Sequence, residues 1–303
     1  MSLDELVQRA GALIEEHAEL GARTTYRVGG RARALLTLRT RTELDELGPL
    51  LFNCGLPVVV VGNGSNLLVA DGEHEIIAVH LSGEFCELHW RDVGAVVVVE
   101  AGAGLGLPIA ARRLANEGIV GFEWAVGVPG TFGGAAVMNA GGHGSDMAAS
   151  VVKVTTYGRL GIREWTPPQL DFGYRSSALG ASELVTGVTL QLSRGDAEGA
   201  SERIREIVRW RREHQPGGAN AGSVFQNPPG DHAGRLIDAA GCRGLRVGSA
   251  VVSEKHANFI IVDPGGRAQD VYELLRTVRE RVIEATGVEL HSEHRFLGFG
   301  ANS

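Results

Sequence analysis

Two glycine-rich segments of this 303-residue sequence could hold a phosphorylated ligand through their backbone amides. The first is V-G-N-G-S-N-L at residues 61–67, which follows a β-branched run, and the second is G-V-P-G-T-F-G-G at residues 127–134. Successive N–H groups in such loops can form a concave anion site, and glycine lets a pyrophosphate approach closely. Each segment can equally be a turn, or a crossover in which glycine permits close packing.

Three other segments carry side chains suited to acid–base or anion chemistry. Ser223 lies in A-G-S-V-F-Q-N-P, Arg175 in D-F-G-Y-R-S-S, and Glu293 between His291 and His294. A serine in a glycine-rich loop is usually a turn residue, an isolated arginine is usually a solvated charge, and spacing does not identify triad partners. The H-S-E-H cluster has no complete metal-binding spacing, so no metal is predicted.

A third glycine-rich segment, E-A-G-A-G-L-G at residues 100–106, invites comparison with dinucleotide-binding loops. Its third glycine comes one place too early for G-x-G-x-x-G, and no acidic residue ends a strand about 20 residues later. The pattern G-x-x-x-x-G-K-[ST] is also absent, since neither Lys153 nor Lys255 follows a glycine. Neither nucleotide-binding fingerprint therefore applies.

Hydrophobic periodicity predicts the elements that must position these residues. Helices are expected at residues 3–20, 40–51 (with Thr42 as N-cap), 107–117, 201–214, 232–240 and 268–286, the last closed by Gly287. Strands are expected within residues 24–38 and at 57–61, 67–69, 76–81, 95–101, 151–157, 161–165, 184–192 and 259–262, with a final strand that leads into residues 289–298. The strands between residues 151 and 192 are expected to form an antiparallel sheet.

Length and composition limit the class of protein. At about 150 residues per domain the length predicts two domains, and the small polar stretch at residues 195–200 is the predicted boundary. The net charge of −7 disfavours a general nucleic-acid binder. Three scattered cysteines predict reduced thiols. The acidic N-terminus and the lack of an apolar run of about 18 residues lead us to expect a cytoplasmic protein without membrane insertion.

Eight short motifs, taken in order, resemble those of the UDP-N-acetylenolpyruvoylglucosamine reductase family. The resemblance extends from about residue 24 to residue 298. The motifs are T-T-Y-R-V-G-G, V-G-N-G-S-N-L-L-V, G-V-P-G-T-F-G-G-A-x-x-M-N-A-G, F-G-Y-R-S-S, A-G-S-V-F-Q-N-P, A-G-R-L-I-D-A-A-G, V-S-E-K-H-A-N-F and L-x-x-E-x-R.

The resemblance implies an α+β fold in which a two-subdomain FAD-binding region, of the PCMH/vanillyl-alcohol-oxidase type, precedes a smaller α+β substrate domain. The implied parts are an N-terminal helix at 1–22, an FAD-binding domain at 23–195 (subdomains about 23–85 and 86–195) and a substrate domain at 200–303. The chain resembles the shorter subtype without an inserted tyrosine-bearing loop, because no extra segment lies between Val185 and Ser201.

The resemblance also implies non-covalent FAD, NADPH as hydride donor and a UDP-sugar substrate in peptidoglycan precursor synthesis. NADPH reduces FAD, and flavin N5 then passes hydride to the methylene carbon of the enolpyruvyl group. The residues matched to FAD binding are Tyr26, Val61, Gly62, Asn63, Gly64, Ser65, Asn66, Gly127, Pro129, Gly130, Thr131, Gly133, Gly134, Asn139 and Gly141.

Three catalytic positions follow from the family match. Ser223 corresponds to the proton donor, while Arg175 and Glu293 flank the enolate, which Arg175 can bind through two N–H groups and Glu293 can stabilise when protonated. The positions matched to substrate binding are Tyr174, Gln226, Asn227, Lys255 and Asn258.

Two positions depart from the family pattern. His291 stands where glutamate is common, and Gln226 stands where lysine is common, which removes a positive charge near the substrate. Another flavoprotein of the same superfamily, a flavin-binding protein without catalysis, and a two-domain protein whose glycines are only turns are the alternatives. The oligomeric expectation is a monomer or a weak oligomer.

Overall fold

The computed structural model describes residues 2–180 and 183–300. The chain forms two compact units, each assembled from separate stretches of sequence. The first unit comprises the chain up to Glu16, Arg33–Gly62 and Glu75–Arg211, and the second comprises His17–Ala32, Asn63–His74 and the chain from Arg212 onward. The domain bounds implied by the resemblance are contiguous and stay a prediction.

The described residues contain eight α-helices. They are α1 (Leu3–Ala10), α2 (Arg41–Leu51), α3 (Leu107–Asn116), α4 (Phe132–Val137), α5 (Pro167–Leu170), α6 (Ala197–His214), α7 (Ala233–Ala239) and α8 (Ala268–Thr286). No helix in the described part of the chain combines the length and the apolar character that crossing a bilayer requires.

The same residues contain seventeen strands. They are β1 (Ile14–Glu19), β2 (Arg31–Leu38), β3 (Val58–Val60), β4 (Leu67–Val69), β5 (Glu73–Leu81), β6 (Leu88–Val93), β7 (Val96–Gly102), β8 (Ile119–Val120), β9 (Gly141–Gly142), β10 (Ser145–Asp146), β11 (Val151–Gly158), β12 (Gly161–Trp165), β13 (Glu183–Arg194), β14 (Arg246–Val247), β15 (Ala250–Val252), β16 (Ile260–Val262) and β17 (Arg295–Leu297).

The largest sheet belongs to the first unit and has the order β12-β11-β13-β7-β6, with β8 paired to the end of β13. All of its pairings are antiparallel, which confirms the sheet predicted between residues 151 and 192. Strand β6 was missed by the sequence analysis. A further sheet has the order β1-β2-β5-β3, in which β3 and β5 run parallel.

Each unit has its own apolar core. The first core joins α2 and α3 to the large sheet through residues such as Leu47, Leu114 and Val188. The second core joins α7 and α8 to the small sheet β14-β15-β16, through residues such as Ile237 and Leu274. The helix α8 has the predicted bounds, and Gly287 closes it in the left-handed conformation with φ 71°.

Three sequence-based predictions of element bounds were wrong. The helix expected at residues 3–20 ends at Ala10, because Gly11 adopts φ 52°, and residues 14–19 form β1. The N-cap of α2 is Thr40 rather than Thr42, since Thr40 and Glu43 form a reciprocal capping box. The polar stretch at 195–200 is not a linker throughout: α6 begins at Ala197.

That helix start has a local cause. The carboxylate of Asp196 accepts hydrogen bonds from the N–H groups of Glu198 (3.0 Å) and Gly199 (3.0 Å), which have no helical partner. Because β13 ends at Arg194 and α6 begins two residues beyond Gly195, this connection contains no inserted loop.

Candidate active site

The loop that carries Ser223 is paired on both sides within the second unit. On one side, Val224 N–H donates to the Asn258 backbone carbonyl (3.0 Å), and the Asn258 side chain pairs with the Phe225 peptide. On the other side, Glu293 N–H donates to the Val224 carbonyl (3.0 Å). Ser223 and Glu293, predicted to act together, therefore lie on directly paired segments of one unit.

The second contact of this pairing joins the two positions that depart from the family pattern. Gln226 N–H donates to the His291 carbonyl (2.9 Å), next to an antiparallel bridge between Phe225 and Ser292. The two departures are therefore neighbours across one antiparallel pair. No sequence signal indicated that proximity, because 65 residues separate Gln226 from His291 and backbone groups make the bond.

The first glycine-rich loop also contributes to this pairing. Asn66 Nδ2 donates to the Glu293 carbonyl (2.9 Å), and Arg295 N–H donates to the Asn66 carbonyl (2.9 Å). Beyond this point β17 runs parallel to β4, with Arg295 opposite Leu67. Asn66, matched to FAD binding, therefore supports the backbone of the predicted catalytic Glu293.

Arg175 lies in the first unit, in a tight turn closed by hydrogen bonds between Gly173 and Ser176 (3.0 and 3.3 Å). Its φ of 56° is in the left-handed region, which costs a non-glycine residue about 1 kcal/mol or more. Its Nη1 donates to the Gly141 carbonyl (3.1 Å). Tyr174 is 59% exposed, and its ring lies 5.5 Å from the guanidinium carbon.

Asn139 holds this turn. Asn139 is buried, and its backbone adopts φ 40°. Its Nδ2 donates to the Gly173 carbonyl (2.9 Å), and its Oδ1 accepts from Ala148 N–H (3.0 Å). The side-chain amide matched to FAD binding is thus bonded to protein at both of its ends.

The second glycine-rich loop packs along the segment that mimicked a dinucleotide fingerprint. Gly133 N–H donates to the Ala103 carbonyl (2.8 Å), Phe132 N–H donates to the Leu105 carbonyl (3.0 Å), and Leu107 N–H donates to the Gly130 carbonyl (3.0 Å). These backbone groups are committed to protein. A Cβ built on Gly134 would have only Thr131 Oγ1 near it, at 3.8 Å, so this glycine leaves open space.

The first glycine-rich loop is divided between the units. Val61 and Gly62 end a first-unit stretch, and Asn63 begins a second-unit stretch. Val61 N–H donates to the Val79 carbonyl (2.8 Å), and a Cβ on Gly62 would overlap the Thr131 side chain. The two glycine-rich loops therefore meet at Gly62 and Thr131, inside the first unit.

Gly64 needs to be glycine for two reasons. Its φ is 59°, and a Cβ there would lie 2.6 Å from the Arg23 carbonyl oxygen. Ser65 follows it in the same loop. Similar crowding occurs in the first unit at Gly127, where a Cβ would approach the His143 ring to 2.8 Å, two residues before Pro129.

One observation tests whether the loop at residues 63–66 fits FAD. Thr25 N–H donates to the Gly64 carbonyl (3.2 Å), and Thr25 Oγ1 is buried with no hydrogen-bond partner in residues 2–180 and 183–300. A buried hydroxyl without a partner is costly, so a polar ligand beside it is favoured. The loop therefore fits a pyrophosphate or ribityl chain. The sequence analysis missed Thr25.

Tyr26, also matched to FAD binding, is fully buried and its hydroxyl lies 2.9 Å from His294 Nε2. Burial raises the pKa of Tyr26 and lowers the pKa of His294 to about 4, so this histidine is neutral near pH 7. His294 Nδ1 has no hydrogen-bond partner within the described residues. The Tyr26–His294 pair therefore anchors the residue that follows Glu293.

A cavity of about 440 Å³ opens in the second unit beside Ser223. Four residues predicted from the sequence line it, namely Ser223, Asn227, Lys255 and Asn258, but Gln226 does not. His256, which the resemblance places near the same pocket, also lines it, whereas His232, Arg235, Asp238 and Arg243 were missed by the sequence analysis. Only the A-G-R-L-I-D and S-E-K-H-A-N motifs pointed toward part of this set.

Several lining residues are bonded to protein. Asn227 Oδ1 accepts from Ala233 N–H (3.0 Å) at the start of α7, and Lys255 Nζ donates to the Arg212 carbonyl (2.6 Å). Arg243 pairs with Asp238 (2.6 Å), and this pairing lowers the pKa of Asp238. Burial, reinforced by the Arg243 charge, lowers the pKa of His256. Arginine and lysine outnumber acidic residues in the lining of this cavity, so the cavity suits an anionic ligand.

Two family models match this chain and define its class of protein. Residues 32–160 match a family model described as an FAD binding domain, and residues 214–297 match one described as the UDP-N-acetylenolpyruvoylglucosamine reductase C-terminal domain. The fold is accordingly the α+β arrangement predicted, with a PCMH-type FAD-binding region. Within the described residues, no group of three or more His, Cys, Asp or Glu side chains is placed to hold a metal ion.

Several reductases are similar to this chain over most of its length. The UDP-N-acetylenolpyruvoylglucosamine reductase of Moorella thermoacetica is 42% identical over 288 residues, covering 93% of this chain and 92% of its own. A second relative, UDP-N-acetylenolpyruvoylglucosamine reductase 2 of Symbiobacterium thermophilum, is 41% identical and covers 91% of this chain and 89% of its own. The crystal structure of the Thermus caldophilus reductase superposes with a TM-score of 0.80 at 38% identity, covering 94% of this chain and 98% of its own. The chain belongs to the UDP-N-acetylenolpyruvoylglucosamine reductase family.

Proposed function

We propose that the protein reduces UDP-N-acetylenolpyruvoylglucosamine to UDP-N-acetylmuramate, with FAD as cofactor and NADPH as the hydride donor. The named relatives support the substrate class. The observation that carries the proposal is the backbone pairing of the Glu293 segment with the Ser223 loop, together with the cavity that Ser223 lines. This pairing supports a site in which a hydroxyl and a carboxyl act on one substrate, as the reaction requires.

FAD would be held by the glycine-rich loops at residues 61–66 and 127–134, with the unpartnered Thr25 hydroxyl as a further contact. When bound, FAD would take hydride from NADPH and deliver it to the methylene carbon of the enolpyruvyl group. The chain must then bind the substrate, stabilise the charge that develops on the carboxylate side and deliver one proton to the adjacent carbon.

Ser223 is proposed as the proton donor and Glu293 as a hydrogen-bond donor to the enolate. Addition of hydride and one proton across the C=C bond balances the reduction. A serine hydroxyl is a weak acid, so the transfer depends on close alignment with the developing carbanion. Donors preorganised toward that charge contribute a large part of catalysis.

Arg175 is proposed to bind the substrate carboxylate. A planar guanidinium can donate two parallel N–H groups to a carboxylate, and the bond from Nη1 to the Gly141 carbonyl limits its orientations. Tyr174 is proposed to contact the substrate as well, together with Gln226, Asn227 and Lys255. The cationic residues of the second-unit cavity would attract a diphosphate.

An anaerobic two-step experiment tests this function. The purified protein with bound FAD is reduced with NADPH, and enolpyruvyl-UDP-N-acetylglucosamine is added while the flavin absorbance band is recorded. Rapid reoxidation with formation of UDP-N-acetylmuramate is expected. Flavin that reduces but stays reduced would refute the substrate assignment and favour another flavoprotein of the superfamily, and a protein that retains no flavin would refute the cofactor assignment.

A further inference from the structure

Asn258 uses both ends of its side chain on the backbone of a single residue, Phe225. Its Oδ1 accepts from Phe225 N–H (3.0 Å), and its Nδ2 donates to the Phe225 carbonyl (2.8 Å). Its own backbone carbonyl accepts from Val224 N–H (3.0 Å). The residue is 3% exposed. The amide therefore acts toward Phe225 as a neighbouring β-strand would, in a place where no strand is present.

Local hydrogen bonds fix the position of Asn258 itself. Its N–H donates to His256 Nδ1 (3.2 Å), Phe259 N–H donates to the His256 carbonyl (3.0 Å), and Ser253 N–H donates to the Phe259 carbonyl (2.8 Å). The strand β16 begins two residues later and belongs to the second core. Asn258 is thus a rigid point to which the Ser223 loop is attached.

The opposite side of the loop is attached to the Glu293 segment. The Val224 carbonyl accepts from Glu293 N–H, and Gln226 N–H donates to the His291 carbonyl. The two residues that follow Ser223 therefore have their N–H and carbonyl groups bonded, and Asn258 supplies three of these bonds. Loss of the Asn258 side-chain amide would release both backbone groups of Phe225 and leave only the bond from Val224 N–H to the Asn258 carbonyl on that side.

We infer that Asn258 is a positioning residue for Ser223, and that its amide sets the placement of the Ser223 hydroxyl for proton transfer rather than binding substrate. The inference rests on the proposed function of Ser223. A misplacement of about 1 Å in such a group can cost about 10²-fold in rate. Asparagine is required because aspartate lacks the donor for the Phe225 carbonyl, and alanine leaves two buried groups unpaired.

The test uses the FAD-loaded full chain and three variants. Asn258→Asp removes the donor and keeps the acceptor. Asn258→Gln keeps both groups on a side chain one methylene longer, so that folding is retained while the Phe225 peptide shifts. Flavin reduction by NADPH should stay within about twofold of wild type, whereas reoxidation by the enolpyruvyl substrate should slow by about 10²-fold for Asn258→Asp. Ser249→Ala, which removes hydrogen bonds to Asp270 and Arg267 away from this loop, is the matched control.

A double-variant cycle separates positioning from a general structural role. In the Ser223→Ala background, Asn258→Asp should cost almost nothing more, because the group it positions is gone. Hydrogen exchange of the Phe225 amide should accelerate in Asn258→Asp and Asn258→Gln but not in Ser249→Ala. The inference is overturned if the reoxidation losses of Ser223→Ala and Asn258→Asp multiply, or if both Asn258 variants reoxidise like wild type. Failure of the wild-type protein itself to be reoxidised would instead refute the proposed function.

Discussion

The Ser223 loop and the Arg175 turn each depend on a buried asparagine, but the two attachments differ in number and kind. In the second unit, the Asn258 side chain bonds both the N–H and the carbonyl of Phe225, while the Glu293 segment pairs with the other side of the loop. In the first unit, Asn139 makes one bond to the Gly173 carbonyl, and Arg175 itself adopts φ 56°.

This difference has an energetic consequence. The Ser223 loop has bonded neighbours on both sides, so hydrogen bonds from two segments together set its position. The Arg175 turn stores backbone strain at φ 56°, and strained residues persist only where neighbours hold them. We therefore expect the proton-donor side to be tightly fixed and the carboxylate-binding side to adapt more readily to a ligand.

The largest expected effect is at Ser223. Ser223→Ala should slow flavin reoxidation by the enolpyruvyl substrate by about 10³-fold, within the usual range for loss of a general acid. Reduction of the flavin by NADPH should be unchanged, because no proton from Ser223 enters that step. Stopped-flow absorbance measures both steps, and an equal loss in the two would show that the proton-donor assignment is wrong.

The next largest effect is at Arg175. Arg175→Lys should slow reoxidation by about 10²-fold, because an ammonium cannot donate two parallel N–H groups to a carboxylate. Arg112→Lys is the matched control, since Arg112 is exposed and its Nη1 also donates to a backbone carbonyl, that of Pro108 (3.0 Å). Near-normal single-turnover rates in Arg175→Lys would argue against a carboxylate contact.

The stability of the second unit, which carries the Ser223 loop, depends on pH through His294. Its folded-state pKa of about 4 lies below the ordinary value of 6.5, so its stabilising contribution is complete above about pH 6.5 and is lost as the pH falls toward 4. Between pH 7.5 and pH 5 the loss should be about 2 kcal/mol. His294→Gln should remove this dependence, whereas His89→Gln, at an exposed site, should not.

Hydrogen exchange of α8 amides is the measurement for this prediction, because all four tryptophans, Trp90, Trp124, Trp165 and Trp210, lie in the first unit. Protection in α8 reports unfolding of the second core. Identical pH profiles for wild type and His294→Gln would show that His294 does not control stability in this range.

Much of the fold could be predicted from the sequence where the signal is local. The bounds of α8 follow from its apolar stripe and from Gly287, and the antiparallel sheet follows from β-branched runs. Local signals fail where two candidates compete: Thr40 and Thr42 are both good caps, and only the reach of Glu43 decides between them. The capping of α8 was hidden, because Asp71, far away in sequence, accepts from Ala268 and Gln269 N–H.

The predicted site residues came from motif resemblance, and their roles stay predictions. What the motifs could not give is how the residues are held. The bond from Glu293 to Val224 joins two backbone groups, and the Asn258 side chain bonds the backbone of Phe225. Every residue has such backbone groups, so the sequence does not identify these partners. The resemblance matched Asn139 and Asn258 to ligand binding, and the structure shows that both side-chain amides bond the protein backbone. The same amide chemistry serves a peptide or a ligand, so the motif alone does not separate the two roles.

The smallest expected effect sharpens the comparison at Asn139. Asn139→Asp keeps the acceptor for Ala148 N–H, loses the donor to the Gly173 carbonyl and to Asp146 Oδ2 (3.4 Å), and sets a second carboxylate beside Asp146. The Arg175 turn is therefore loosened, while the left-handed conformation of residue 139 is one that aspartate tolerates. Reoxidation should slow by about tenfold, less than for Asn258→Asp, because the turn can re-form on the bound carboxylate.

The effect should vanish in the Arg175→Lys background but persist in Ser223→Ala, the reverse of the pattern expected for Asn258→Asp. If Asn139→Asp instead lowers flavin affinity, measured by equilibrium dialysis, and leaves reoxidation of the loaded protein unchanged, its amide serves the cofactor and not Arg175.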